Sequence, residues 1–289
     1  MPWSRKKKAI LVILSLIVLI FFVFLIAGLG KRPADQIGVI EIEGVISSSK
    51  ETMEDIVRFK EDPSIKGIIL RINSPGGGVG PTQEIYREVV KLRGKKKVYV
   101  SMGTTCASGG YYIAAAADKL YANPSTITGS IGVIMQLMVV EDVLKKIGLK
   151  SNTIKAGEFK DVGSPFRNMT PPERRYMDGI IQSIYEQFMK DIAAGRKMDM
   201  ERVRGLAQGR IYTGSQAKDL GLIDGLGNFY DTVDALKTAL GIKGKPTLVY
   251  TEKPFSFSKW IFGSLSRELV NGLFSSPFKV MATPSQGGR

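Results

Sequence analysis

Apolar runs with the alternation of strands take turns with stretches whose apolar residues recur every three or four positions. IGVIEIEGVI reads as a strand and SKETMEDIVRFKED as an amphipathic helix. KGIILRI is a β-branched run that stops at Asn73-Ser74-Pro75-Gly76-Gly77-Gly78, a loop by its proline and glycines. PTQEIYREVVKLR is predicted helical, KKVYVSM a strand, SGGYYIAAAA a helix and KLYANP a strand. SIGVIMQ is predicted to be a further strand and VEDVLKKIG a helix. SNTIKAG reads as a strand that opens into the loop EFKDVGSPFRN. Thr170 as N-cap, Pro171 in the first helical position and Glu173 closing a capping box predict a helix running to about Gly195. MERVRGLAQ predicts a second helix. GRIYTGSQAKDLGLIDGLG reads as strand, short helix and turn, FYDTVDALKTALG as a last amphipathic helix and PTLVYTE as a last strand. Strands alternating with helices predict an α/β layered domain with a mostly parallel sheet.

The N-terminal pattern is different. Arg5-Lys6-Lys7-Lys8 precedes an apolar run from Ala9 to Gly30 that contains no charge. About 20 apolar residues suffice to cross the hydrocarbon core as a helix. A cleaved signal peptide has an apolar region of only about 7–15 residues and a small-residue cleavage site, which AGLG does not match. The reading is an uncleaved anchor. Four basic residues lie before it and two, Lys31 and Arg32, after it, which puts the N-terminus in the cytoplasm and the remainder outside. The expected organisation is a basic stub and membrane anchor over 1–30, a linker over 31–36, the α/β domain over 37–252 and a tail over 253–289. In the tail, FSFSKWIFGSLSRELVNGLF mixes aromatic and basic residues at helical spacing; it suits a membrane surface, a neighbouring subunit or a loose end alike.

Composition removes chemistries. The 289 residues carry a net charge of +14 and contain no histidine and one cysteine, Cys106. There is no Ser-His-Asp triad, no Cys-His pair, no HExxH zinc site and no histidine-anchored haem, and no intramolecular disulfide. The basic residues are spread along the chain without a base-reading motif, so nucleic acid is not an expected partner. Cys106 has no histidine to activate it and reads as a small buried residue.

Two stretches carry candidate chemistry. INSPGGG gives a turn whose backbone N–H groups can face a ligand, as an oxyanion requires. In CASGGYYIAAAAD, Ser108 stands between a strand and a helix, as an N-cap or a nucleophile. Two glycines in a first turn disfavour a purely structural helix start. The N–H groups of Ser108 and Gly109 are expected among the unpaired donors of that turn. A serine nucleophile needs a base, and without histidine a neutral buried lysine is the available choice. IKAGEFKDVGSP offers Lys155 and Lys160, and physics alone does not choose between them.

Taken in order, INSPGGG, ASGGYYIAAAAD, TGSIGVI, IKAGEFKDVGSP and RIYTGSQAKDLGLID resemble the signal peptide peptidase A family, over roughly Ile37 to Leu240. The resemblance implies a Clp-protease/crotonase-like α/β fold with repeated ββα/βαβ units. It makes Ser108 the nucleophile, Lys160 the general base and then the acid, and Ser130 the residue that orients the lysine. Gly77 and Gly109 become the oxyanion-hole donors. No metal or other cofactor is implied. The implied partners are peptide substrates, cleaved signal peptides among them, membrane lipid, and further copies of the chain. The last form a homo-oligomeric ring, an octamer in the family's short members, in which Lys160 of one subunit serves Ser108 of the next. Two rival readings share the fold: a membrane serine protease specific for a stomatin-like partner, and a crotonase-type acyl-CoA enzyme.

Overall fold

A computed structural model of the chain describes residues 14–22 and 35–251. Residues 14–22 are helical with exposed side chains. Among the described residues no helix is long and apolar enough to cross a membrane. Most of the expected anchor, and the expected amphipathic tail, lie outside the described residues.

The domain is a mixed α/β structure around one eight-stranded sheet. In chain order its elements are β1 (Gln36–Glu43), α1 (Lys50–Glu61), β2 (Ile65–Ser74), α2 (Val79–Arg93), β3 (Lys97–Ala107), α3 (Gly109–Ala115), β4 (Lys119–Ala122) and β5 (Ile127–Gly129). Then come α4 (Glu141–Lys146), α5 (Pro171–Arg196), α6 (Met200–Leu206), β6 (Ile211–Thr213), α7 (Gly214–Asp219), β7 (Gly225–Leu226), α8 (Phe229–Ala239) and β8 (Thr247–Tyr250). The main path through the sheet is β6-β5-β3-β2-β1-β8. All pairs are parallel except β5 with β6.

Period-two alternation explains why this sheet is buried on both faces. Ile68, Leu70 and Ile72 of β2, with Val98, Val100 and Met102 of β3, point into the larger core. The intervening Ile69 and Tyr99 point to the opposite side, where Val233 and Leu236 of α8 meet them. A parallel sheet covered on both faces needs such near-continuous apolar strands. On the larger-core side, α2 buries Ile85, Val89 and Leu92, one apolar stripe at helical spacing.

One feature of the sheet builds the site. β3 is long enough to serve two neighbours. Its first half, at Tyr99–Ser101, pairs with β4, and its last three residues, Thr105–Ala107, pair with β5. The sheet therefore forks, and the end of β3 emerges between two branches. The short helix α3 follows at once and is buried along its whole length. The Tyr111 hydroxyl donates to the Leu222 carbonyl at 2.8 Å, and that of Tyr112 to the Asp191 carboxylate of α5.

Three sequence expectations are corrected. SIGVIMQ is not a strand; β5 lies just before it and ends at Gly129, because Ser130 turns the backbone to φ 51°. SNTIKAG is not a strand either: residues 151–157 have no ladder partner and lie exposed. The two-residue strand β7, pairing with β4, falls within a stretch that reads as a turn by its glycines. The capping box at Thr170 and Glu173 is present, and α5 runs one residue past the expected end.

Candidate active site

Ser108 occupies the first position after β3, with φ 51° and ψ −120°, a conformation disfavoured for any residue with a Cβ. Strain of this kind costs about 1–3 kcal/mol and persists only where the surroundings over-determine it. The surroundings do so here. The Ser108 N–H donates to the Gly129 carbonyl at 2.8 Å, and the Ser108 carbonyl accepts from Tyr112 N–H at 2.9 Å. Ser108 stands at the N-cap of α3 but makes no side-chain capping bond, so its hydroxyl is not used to hold the helix. The expectation that its N–H is an unpaired donor fails, because β5 lies close enough to take it.

The glycine loop packs directly against this turn. A Cβ on Gly76, which has φ 105°, would stand 2.7 Å from the Gly109 nitrogen and 2.9 Å from the Ser108 Cβ. A Cβ on Gly77 would stand 2.2 Å from the Ile46 carbonyl oxygen. Only glycine lets the two backbones approach this closely. The loop is pinned from behind: Ile46 N–H donates to the Gly76 carbonyl, and Gly78 N–H to the Ile46 carbonyl, both at 2.9 Å. That pairing leaves the Gly77 N–H on the other side. Among the described residues neither the Gly77 nor the Gly109 N–H has an acceptor. Both glycines line the same cleft as Ser108.

The cleft has a volume of about 670 Å³. Ser108, Ser130, Gly77 and Gly109 line one side, and Ile181, Ile184, Tyr185 and Phe188 of α5, with Gln182 among them, give a largely apolar wall. That wall has the i, i+3, i+4, i+7 spacing of one helix face. Tyr112 joins the two sides, stacked on Tyr86 at 4.7 Å and edge-on to Phe188 at 4.7 Å. Ser130 is fixed by its N–H, which donates to the Arg210 carbonyl at 2.7 Å. Thr82 of α2 also faces this region; it is buried and its hydroxyl has no hydrogen-bond partner among the described residues. Cys106 is wholly buried, and burial pushes its thiol well above the ordinary cysteine range, consistent with a packing role.

Lys160 lies elsewhere. It is exposed, in a turn that does not line the cleft, and its side chain forms no ion pair among the described residues. Lys155 differs: it pairs with the Asp161 carboxylate and donates to the Glu158 carbonyl at 2.7 Å. Within one chain the structure therefore brings Ser108, Ser130, Gly77 and Gly109 together and leaves Lys160 apart. The segment around Lys160 exposes apolar side chains, Ile154 fully and Ile134 at 89%. The α5 wall, Tyr112 and Thr82 were not singled out from the sequence. The helical spacing of 181, 184, 185 and 188 was the available signal, but it reads equally as core.

The chain is similar to known peptidases. The family model for peptidase family S49 matches residues 91–243, and that for Clp protease matches residues 39–128. A protein of Enterococcus faecium provisionally named signal peptide peptidase SppA is 34% identical over 237 residues, covering 77% of this chain and 69% of that protein. A provisionally named protease of Synechocystis sp. is 39% identical over 208 residues, with coverage of 72% and 75%. Protease 4 of Salmonella typhi is 37% identical over 216 residues, 70% of this chain but only 35% of that longer protein. The chain belongs to peptidase family S49 and is a serine peptidase.

Proposed function

We propose, from membership in family S49, that this protein is a membrane-tethered peptidase that works with a Ser108–Lys160 dyad shared between subunits. The observation that carries the reading is the strained Ser108, whose free hydroxyl sits beside two glycine N–H groups without acceptors. Neutral Lys160 Nζ takes the Ser108 hydroxyl proton as Oγ attacks the peptide carbonyl carbon. The carbonyl oxygen becomes an oxyanion and accepts hydrogen bonds from Gly77 and Gly109 N–H, donors in place before the charge develops. The lysine ammonium then gives its proton to the leaving amine, and the C–N bond breaks. An ester on Ser108 remains. Water, deprotonated by the same lysine, attacks the ester; the C–Oγ bond breaks, the lysine returns that proton to Ser108 Oγ, and the acid is released. Ser130, held at the rim of the cleft, accepts or donates to Nζ and orients it.

The base comes from a second copy in this reading. Lys160 is exposed on a segment rich in exposed apolar residues, and a neighbouring chain would cover both. A ring of such chains follows, of eight subunits by the family resemblance. The apolar wall of α5 suits segments with large aliphatic or aromatic side chains. Cleaved signal peptides are such segments, and the name of the Enterococcus faecium relative points to the same substrates. The charge-free run from Ala9 to Gly30 would anchor the ring, with the peptidase domain outside the cytoplasm.

The test is complementation. Ser108→Ala and Lys160→Ala are each expected to be inactive; loss of the nucleophile costs about 10⁶-fold and loss of the base about 10²–10⁴-fold. Co-assembled from the two variants, the protein regains peptide cleavage, because an intact serine meets an intact lysine across an interface. No recovery on verified co-assembly removes the shared dyad. Full activity of Lys160→Ala removes the dyad altogether.

A further inference from the structure

The turn that carries Lys160 also carries a carboxylate. Asp161 is the next residue, and a carboxylate within about 4–6 Å of an amine favours the charged form by roughly 1–3 pKa units. A lysine that must be neutral to act as a base is best kept from such a neighbour. In the structure both Asp161 oxygens are already engaged. Lys155 holds one, and Arg167 Nε donates to the other at 2.8 Å. The fork of Arg167 continues to Glu173, with Nη1 donating to Oε2 at 2.8 Å and Nη2 to Oε1. Glu173 is buried, and its Oε2 also accepts the Thr170 N–H at 2.8 Å within the capping box. One arginine thus ties the Lys160 turn to the first turn of α5, the helix whose later turns form the apolar wall. Phe159 adds a ring contact with Tyr176 of α5 at 5.1 Å.

The remaining charges nearby are disposed as follows. On α5, Arg174 pairs with Asp178, and Arg175 is exposed. On α4, Glu141 pairs with Lys145 and accepts from Asn168; Asp142 reaches Lys145, and Lys146 is exposed. Glu158 is exposed to solvent, where screening weakens it. Asp161 is the anion adjacent to Lys160 in sequence, and it is the one that is held.

We propose that Arg167 is a positioning residue for Lys160: with Lys155 it sequesters the Asp161 carboxylate, which leaves the Lys160 amine free of an ion-pair partner, and it fixes the turn on α5. The inference rests on Lys160 being the base. Arg167 touches neither substrate nor Ser108 in this role; it acts through Asp161.

The test is the pH dependence of kcat/KM for the full-length protein on a fluorogenic apolar peptide. In Arg167→Ala one Asp161 oxygen is released while Lys155 keeps the other, and the released oxygen is expected to pair with Lys160, so the acidic limb moves up by about one pH unit, a roughly ten-fold loss at a fixed pH on that limb, while the alkaline plateau is kept. Adding Asp161→Asn to Arg167→Ala brings the limb back. A limb that does not move, or a loss uniform across pH that persists in the double variant, overturns the proposal and leaves Arg167 a structural residue. Should Arg167→Ala fail to fold, as judged by thermal melting, Asp161→Asn alone decides. Its limb moves to lower pH, since a negative charge leaves the turn while Lys155 and Arg167 stay; a limb that is unmoved or raised overturns the inference. Lys160→Ala separates the two levels. Activity in that variant ends the dyad reading, whereas an inactive Lys160→Ala beside an unshifted Arg167→Ala ends only this one.

Discussion

The end of β3 and the segment from residue 133 to residue 168 are built in opposite ways. Around Ser108 everything is backbone: a forked sheet, a glycine loop packed within a few ångströms of a strained turn, and a fully buried helix behind it. Around Lys160 there is one short helix, α4, with no buried residue, and the chain is held by local turns, by the Val140 N–H donating to the Pro165 carbonyl, and by side-chain ion pairs and a ring contact to Tyr176. The first region is complete within one chain and preorganised. The second is finished on one side only, toward α5, and offers solvent an apolar surface. A nucleophile and oxyanion donors must hold their places to sub-ångström tolerance, which packed backbone does well. A lysine delivered to a neighbour, as the proposed dyad requires, must instead stand away from its own core.

Three experiments bear on this contrast, in order of expected effect. Gly109→Ala strikes the backbone-built half, where a new Cβ would stand 2.8 Å from Thr82 Oγ1. Displacing this proposed oxyanion donor is expected to lower kcat by about 10²–10³-fold. Because the obstacle is a side chain, Thr82→Ala in the same chain should return part of the activity; kinetics of the double variant check this, and strict additivity would contradict the contact.

Ile154→Asp strikes the outward half. The side chain is fully exposed in the single chain, so the change should leave folding stability within about 0.5 kcal/mol. It should nevertheless shift the assembly toward smaller species in analytical ultracentrifugation and lower activity in proportion. A variant that assembles and cleaves normally would show that this surface is not covered by another copy.

The smallest effect concerns acid. Arg167 and Lys155 hold the Asp161 carboxyl well below its usual range, and Arg167 with the Thr170 N–H holds Glu173 down to about 2. Groups with depressed pKa contribute in full above the ordinary carboxylate value, about 4–4.5, and their contribution is lost as pH falls through the folded value. The ion-pair chain should therefore be intact from pH 7 to pH 5, with a flat melting temperature over that interval as far as this cluster is concerned. Activity lost between pH 7 and pH 5 then belongs to another group. A melting temperature that tracks activity over that interval, and does so less in Arg167→Ala, would assign the loss to the cluster instead.

Much of the fold was legible because local rules and tertiary packing agree there. The β-branched runs became β1, β2 and β3, and the Thr170–Glu173 pattern became a capping box on a 26-residue helix. The errors lie where they disagree. SIGVIMQ has strand composition but begins with a serine at positive φ. SNTIKAG has strand composition but joins no strand and lies exposed. In the site, Ser108 and the glycines could be read from their unusual sequence. The fate of the Ser108 N–H could not, since its acceptor, Gly129, is 21 positions away and arrives only through the fork in the sheet.

By itself the sequence determined that histidine chemistry is absent, that strands and helices alternate, and that a serine followed by two glycines stands where a strand meets a helix. These follow from residue type and short spacing, which local sterics and periodicity read directly. Tertiary structure alone decided which N–H groups stay free, which helix face walls the cleft, and which of two nearby lysines is bound to a carboxylate. Each of those depends on groups distant in the chain that come within about 3 Å of one another, and no local rule specifies that approach.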